Sequence, residues 1–136
     1  MKIILCLDDK GGMMFHHRRQ SRDREVIRDI AETIGDGCLF LNGYSASLFS
    51  ETELEIRVEE EFLDLAQTED WCFVEDRTLS LWSEQIQEVV LYRWNRVYPS
   101  DLRLDWYPEK HGLFLCDIRE FAGYSHEKIT KEIYRR

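Results

Sequence analysis

Residues 16 to 22 gather most of the groups that could bind an anion in an otherwise acidic chain. The segment His16–Arg22 reads HHRRQSR. Arginine presents paired N–H donors that match a phosphate or carboxylate, so this basic segment could hold an anionic molecule or RNA. A solvated loop, with its charge balanced by Asp23, Glu25 and Asp29, explains the same residues. Both interpretations stay open from the sequence.

Three further polar residues are candidates for contact with a small molecule. Glu25 lies in the first turn of a predicted helix, where its carboxylate could accept hydrogen bonds from a planar nitrogen heterocycle. The same carboxylate would also favour the helix dipole without binding anything. Tyr44 and Ser45 follow Asn42-Gly43 and could contact a ligand, although capping of a short helix explains them more simply.

The histidines and cysteines do not form a metal-binding pattern. The side chains of His16 and His17 diverge because the two residues are adjacent, and no third ligand is evident. The cysteines, Cys6, Cys38, Cys72 and Cys116, contain no CxxC pair. The first three lie in apolar runs, where a free cysteine behaves as a small buried hydrophobe. No metal site is therefore expected.

Size and charge limit the class of protein. A chain of 136 residues indicates a single domain over residues 1–136. Its net charge of -9 argues against a surface that binds nucleic acid or anionic membranes as a whole. No apolar run approaches the ~18 residues of a membrane helix, and the first strand turns acidic too early for a signal peptide. A cytoplasmic protein without a membrane partner is expected, and the sequence does not indicate an oligomeric state.

The elements that must position these residues alternate between strands and helices. Apolar or alternating patterns predict strands at residues 2–7, 38–41, 54–58, 71–74 and 88–94. Helical spacing predicts helices at residues 23–34, 59–67 and 79–86, with a short one after Gly43. Ser21 or Asp23 can cap the first of these helices, and Gly35 is a natural stop for it. Residues 13–22 are predicted to form a loop. Such alternation predicts a three-layer αβα fold with a mainly parallel sheet, in which 88–94 is a strand buried on both faces.

The C-terminal third predicts a different arrangement. Two extended segments, beginning near Leu113 and Ile129, are separated by a short stretch that contains glycine. This pattern is typical of an antiparallel hairpin at the edge of a sheet. Leu113, Leu115, Ile129 and Ile133 are expected to supply its buried face.

Five segments together resemble dihydrofolate reductase over nearly the whole chain. They read CLDDKGGM, EVIRDIAETI, CLFLNGYSASLF, VVLYRWNRVYPSDLRLDW and GLFLCDIREF followed by KITKEIYRR. The resemblance implies that family's fold, with a mobile loop at Gly11–Met13. It also places Glu25 at the acidic position that meets the pteridine ring. The family turn in which an arginine and a threonine hold cofactor phosphates corresponds here to Gly43, Tyr44 and Ser45.

One departure from that family bears on the cofactor. Where the reductases have a glycine-rich turn that approaches the cofactor pyrophosphate, this chain has Glu75-Asp76-Arg77. Carboxylates there would repel phosphates, and side chains would block close approach. NADPH is therefore not expected to bind in the usual way. The implied ligand is a planar heterocycle with an anionic substituent, bound by Met13, Met14, Arg18, Glu25, Tyr44 and Ser45.

The segments CLDDKGGM, RRQSRD, LYRWNRVYPSD and SHEKITKE also resemble those of small bacterial proteins, some of which are labelled "ribonuclease Z". A zinc-dependent ribonuclease of that kind needs an HxHxDH cluster that holds two metal ions. The four histidines, His16, His17, His111 and His126, do not have that spacing. Zinc ribonuclease activity is therefore not expected.

Three functions remain as hypotheses. The leading one is a small-ligand-binding domain on a dihydrofolate reductase-like scaffold that lacks the usual NADPH phosphate site. The second is a divergent reductase-like enzyme that uses Glu25 as its acid. The third is an RNA- or partner-binding module that acts through His16–Arg22. A cleft beside Glu25 would favour the first two, whereas a flat basic face would favour the third.

Overall fold

The computed structural model describes residues 1–136 and shows a mixed α/β fold. The main sheet contains β1 (Lys2–Leu7), β4 (Cys38–Leu41), β5 (Glu55–Val58), β6 (Trp71–Phe73), β7 (Glu88–Arg93), β9 (Phe114–Phe121) and β10 (Ile129–Arg135), and a small sheet contains β2 (Gly12–Phe15), β3 (Arg18–Arg19) and β8 (Leu102–Arg103). The main sheet has the order β5-β4-β6-β1-β7-β10-β9. Its first five strands are parallel, and β10 runs antiparallel to both neighbours. The predicted mainly parallel sheet with antiparallel C-terminal strands is therefore confirmed.

The central strands are buried on both faces, as the continuous apolar runs predict. In β1, Ile3 and Leu5 point into one hydrophobic cluster, whereas Ile4 points into a second cluster on the opposite face. In β7, Val89 and Val90 divide between the two clusters in the same way. Alternation of side chains along a strand requires this division, so each face of the sheet needs its own cover.

Helix α1 (Arg24–Ile34) covers one face, and its ends follow from local sequence. The Asp23 side chain accepts a hydrogen bond from the Glu25 N–H and caps the helix. Gly35 ends it with φ of 61°, in the left-handed region that glycine adopts without steric cost. The predicted helix is thus confirmed.

The opposite face is covered differently from the prediction. Helix α2 (Gly43–Ala46) and a 3-10 turn at Ser47–Phe49 share the face of α1, but α3 (Phe62–Leu65) on the other face has a single turn. The helix predicted at 79–86 is a 3-10 helix at Ser80–Gln85. A 3-10 helix has three residues per turn, so Leu79 and Trp82 lie on the same side of it. Their spacing therefore resembles that of an α-helix. No helix is both long and apolar enough to cross a membrane.

The segment at residues 13–22, predicted to be a loop, contains a short antiparallel hairpin. Strand β2 pairs with β3 through Met14–Arg19 and Phe15–Arg18. His16 and His17 form the turn, with φ of 50° and 62°. Two-residue hairpin turns with both φ values positive match the twist of the strands, which explains why the chain pairs here.

Strand β9 lies at an uncovered edge of the main sheet. Leu113 and Ile129 are buried, as predicted for the hairpin, whereas Leu115 is 50% exposed. The prediction that Leu115 is buried is therefore wrong. Phe114 and Ile118 are exposed as well. Because β9 has only β10 as a neighbour, its side chains lack the second layer that covers the central strands.

A buried ion pair joins α1 to β7 and β10. The Asp29 carboxylate accepts hydrogen bonds from the Tyr92 hydroxyl at 2.6 Å and from Lys131 Nζ at 2.8 Å, and it also contacts Arg119. Burial alone would raise the pKa of Asp29, but the hydrogen bond from Lys131 and then that from Tyr92 outweigh burial and lower it. The carboxylate is therefore charged in the interior.

Replacing Tyr92 with phenylalanine is expected to lower the free energy of unfolding by about 1–3 kcal/mol, because the buried Asp29 carboxylate loses one of its donors. Urea unfolding would measure the difference. Tyr124→Phe is the matched control, because Tyr124 is exposed and its hydroxyl has no hydrogen bond. The control should change stability by less than about 0.5 kcal/mol. Equal stability of both variants would show that the Tyr92–Asp29 contact contributes nothing.

Candidate functional site

Polar side chains collect where the parallel strands end. Asp8 follows β1, Asn42 follows β4 and Glu75 lies just beyond β6. Because β10 runs antiparallel to β7, the loop between β9 and β10 reaches the same edge and brings His126 there. Open α/β sheets bind their ligands at the carboxyl ends of the strands. This edge is therefore the candidate site.

Asp8 holds the loops at this edge together through hydrogen bonds. Its carboxylate is therefore not free to bind a ligand. Its carboxylate accepts hydrogen bonds from Lys10 N at 2.8 Å, Gly12 N at 2.7 Å, Tyr98 N at 3.1 Å and Gln20 Nε2 at 3.1 Å. Burial alone would raise the pKa of Asp8, but these hydrogen bonds, with that from Gly12 first, lower it. Asp8 thus positions the turn between β1 and β2.

The Arg19–Glu75 cluster joins the hairpin to the ends of β4 and β6. Arg19 Nε and a second guanidinium N–H donate to the two Glu75 oxygens at 2.8 and 3.0 Å. Ser45 Oγ donates to Glu75 at 2.7 Å. The Tyr44 ring lies beneath the Arg19 guanidinium, 4.4 Å from its carbon. A bidentate Arg–carboxylate pair of this kind fixes both partners.

The Asp23–His126 cluster lies at the start of α1. The Asp23 carboxylate accepts hydrogen bonds from Glu25 N at 2.9 Å and from Tyr124 N, Ser125 N and His126 Nδ1, each at 2.8 Å. Burial alone would raise the pKa of Asp23, but the Tyr124 N–H and then the imidazole outweigh it and hold the pKa far below its usual range. Asp23 is therefore an ionised, buried carboxylate.

The second ring nitrogen of His126 lies within hydrogen-bond distance of two hydroxyl groups. Since an ionised carboxylate only accepts, Nδ1 carries the proton that is shared with Asp23, and in the neutral imidazole Nε2 then presents a lone pair. Ser21 Oγ and the Tyr98 hydroxyl each lie 3.0 Å from Nε2. The Trp94 ring stacks on the imidazole, with centroids 4.7 Å apart. These contacts fix both the tautomer and the orientation of the ring.

A groove of about 1130 Å³ lies between α1 and residues 47–54. Its apolar side chains are Ile27, Ala31, Leu48 and Leu54, and its charged side chains are Arg22, Asp23, Arg24, Glu25, Arg28, Glu32, Asp36, Glu51 and Glu53. Glu25 forms an ion pair with Arg28 at 3.5 Å. One end of the groove reaches the Asp23–His126 cluster through Asp23 and Ser125.

The structure divides the residues predicted to bind a ligand among three places. Glu25 lines the groove. Tyr44 and Ser45 belong to the Arg19–Glu75 cluster. The arginine that they meet there is Arg19, whereas the predicted Arg18 is exposed. Met13 and Met14 are buried in the hydrophobic cluster on the face opposite α1 and do not line the groove.

His126 is the residue that sequence reasoning missed as a functional candidate. Its partners Asp23 and Ser21 are 103 and 105 residues away along the chain. Asp23 itself was interpreted only as a helix cap or as a balancing charge for the basic segment. The one local signal is that His126 lies in a turn between two predicted strands. That position does not indicate which residues the imidazole contacts.

No group of three or more His, Cys, Asp or Glu side chains is arranged to hold a metal ion. All four cysteines are free, and Cys116 is the exposed one. No protein-family model matches the chain, and no curated protein matches its sequence.

Proposed function

We propose that the chain is a small-ligand-binding domain on a dihydrofolate reductase-like scaffold, with its ligand in the groove along α1. The observation that carries this proposal is the groove itself, which combines apolar side chains with six carboxylates and three arginines. Ligand sites are concave, with apolar walls and a few polar groups that fix orientation. The mainly parallel sheet with antiparallel C-terminal strands supports the proposed scaffold.

The chemistry of the groove suits a planar heterocycle with an anionic substituent. Ile27, Leu48 and Leu54 offer apolar contact to a flat ring. The Glu25 carboxylate can accept hydrogen bonds from ring N–H groups, and Arg22 can bind the anionic substituent. The ion pair between Glu25 and Arg28 must open or share its charge when such a ligand binds.

The Arg19–Glu75 cluster supports the proposal that NADPH does not bind in the manner of the reductases. Arginine and hydroxyl donors in this region are those that a cofactor phosphate would use. Here the Glu75 carboxylate already accepts hydrogen bonds from the Arg19 guanidinium and the Ser45 hydroxyl. Asp76 is likewise paired, with Asn42 and Arg77. A phosphate would have to displace both carboxylates against charge repulsion.

RNA binding through the basic segment is less well supported by the geometry. In the segment His16–Arg22, the charge of Arg19 is neutralised by Glu75, so the exposed arginines of the segment are Arg18 and Arg22. Two exposed cations give only a weak electrostatic site for a polyanion. Strong, salt-sensitive binding of short RNA would contradict this ranking of the two functions.

A thermal-shift screen of planar heterocycles that carry a carboxylate or phosphate tests the proposal. A ligand at 100 times its Kd stabilises the fold by about 2.7 kcal/mol, which raises the Tm by about 3–8 °C. Glu25→Gln is expected to weaken binding of such a ligand by about tenfold or more, because a charge-assisted hydrogen bond is lost.

Arg18→Ala is the matched control for Glu25→Gln, because Arg18 is charged and exposed but lies outside the groove. It should bind the same ligands as tightly as the wild type. If Glu25→Gln binds them unchanged, the groove is not their site. If Arg18→Ala is the weaker binder, the ligand lies at the hairpin instead.

A further inference from the structure

The Asp23–His126 cluster contains a carboxylate, an imidazole and a serine hydroxyl within hydrogen-bond distance of one another in that order. Asp23 Oδ2 lies 2.8 Å from His126 Nδ1, and His126 Nε2 lies 3.0 Å from Ser21 Oγ. These are the contacts by which a serine hydroxyl is made nucleophilic on unrelated folds. We propose that Ser21 is a nucleophile for acyl transfer and that the protein hydrolyses small carboxylic esters.

The electrostatics of the cluster suit this role. Asp23 and His126 are both buried, with side-chain exposures of 0% and 3%. An ionised carboxylate beside Nδ1 stabilises the imidazolium that forms when Nε2 takes a proton, and low exposure strengthens that attraction. Ser21 is partly exposed, whereas the His126 imidazole is buried.

Groups near Ser21 can stabilise the negative charge that develops on the carbonyl oxygen. The backbone N–H groups of Ser21 and Arg22 have no acceptor within the protein. Free backbone N–H groups at a nucleophile are the donors from which oxyanion holes are built.

The reaction proceeds in two balanced steps. Ser21 Oγ forms a bond to the ester carbonyl carbon while its proton passes to His126 Nε2. The bond from that carbon to the alcohol oxygen then breaks, and His126 returns the proton to the departing alcohol. A water molecule then gives a proton to His126 Nε2 and attacks the acyl carbon. The bond from that carbon to Ser21 Oγ breaks, and His126 returns the proton to Oγ, which releases the carboxylic acid and restores the Ser21 hydroxyl.

Covalent labelling with a fluorophosphonate probe tests Ser21 directly in the full chain and does not depend on what binds in the groove. The wild type should be labelled at Ser21, as located by mass spectrometry of peptides. It should also hydrolyse p-nitrophenyl acetate. Ser21→Ala is expected to lose labelling and to reduce the enzyme-dependent hydrolysis by about 100-fold or more.

Ser80→Ala is the matched control, because Ser80 is an exposed serine whose hydroxyl donates to Asp105 and takes no part in the cluster. It should label and hydrolyse as the wild type does. His126→Gln should lose both signals, and circular dichroism would confirm that it remains folded. An unlabelled wild type, or a Ser21→Ala variant that hydrolyses the ester at the wild-type rate, would overturn the proposal.

Discussion

Replacing Asp23 with alanine is expected to lower the free energy of unfolding by about 3–5 kcal/mol. The change removes the acceptor for three backbone N–H groups, those of Glu25, Tyr124 and Ser125, and for the His126 imidazole. Buried donors without an acceptor each incur a desolvation cost, and α1 loses its N-cap in the same step. The Asp23 carboxylate thus ties the start of α1 to the loop between β9 and β10.

Urea unfolding at neutral pH would measure this loss. Asp36→Ala is the matched control, because Asp36 is exposed and makes no hydrogen bond through its side chain. It should change stability by less than about 0.5 kcal/mol. A loss below about 1 kcal/mol for Asp23→Ala would mean that water replaces the carboxylate and that the cluster is not a structural centre.

Acid is expected to destabilise the fold steeply below about pH 4. Asp8, Asp23 and Asp29 all have a pKa lowered in the folded protein, although burial alone would raise it, because hydrogen bonds to each carboxylate dominate. The unfolded chain therefore binds protons at a higher pH than the folded one. Stability from these groups is present above the unfolded pKa of about 3.9 and is lost as pH falls through the folded values.

Each such carboxylate adds up to about 1.4 kcal/mol per pH unit to the slope of stability, so three together give up to about 4 kcal/mol per pH unit. Urea unfolding at intervals between pH 6 and pH 2 would measure the slope. A flat profile between pH 4 and pH 2.5 would contradict the lowered pKa values.

The sequence predicted those parts of the fold that depend on local pattern. Unbroken apolar runs located β1 and β7, and Asp23 and Gly35 marked the two ends of α1. The sequence did not predict burial correctly where that burial depends on packing by elements distant along the chain. Leu115 has the same pattern as a buried strand residue, but it lies in an edge strand whose residues 114–120 are all exposed.

Part of the candidate site was not predictable for a similar reason. Arg18 and Arg19 are identical in type and adjacent on β3, where successive side chains point to opposite faces. Only the structure shows that Arg19 is the one that reaches Glu75. The contact between Asp23 and His126 spans 103 residues, and no periodicity in the sequence reports a separation of that kind.

That long separation also has a consequence for the order of folding during synthesis. At about 5–20 residues per second, His126 leaves the ribosome roughly 5–20 s after Asp23. During that interval α1 has its N-cap residue but not the backbone donors of Tyr124 and Ser125, nor the imidazole. The Asp23 charge remains hydrated until the loop between β9 and β10 arrives. Docking of that loop therefore completes the start of α1 and the Ser21–His126–Asp23 chain in one late event.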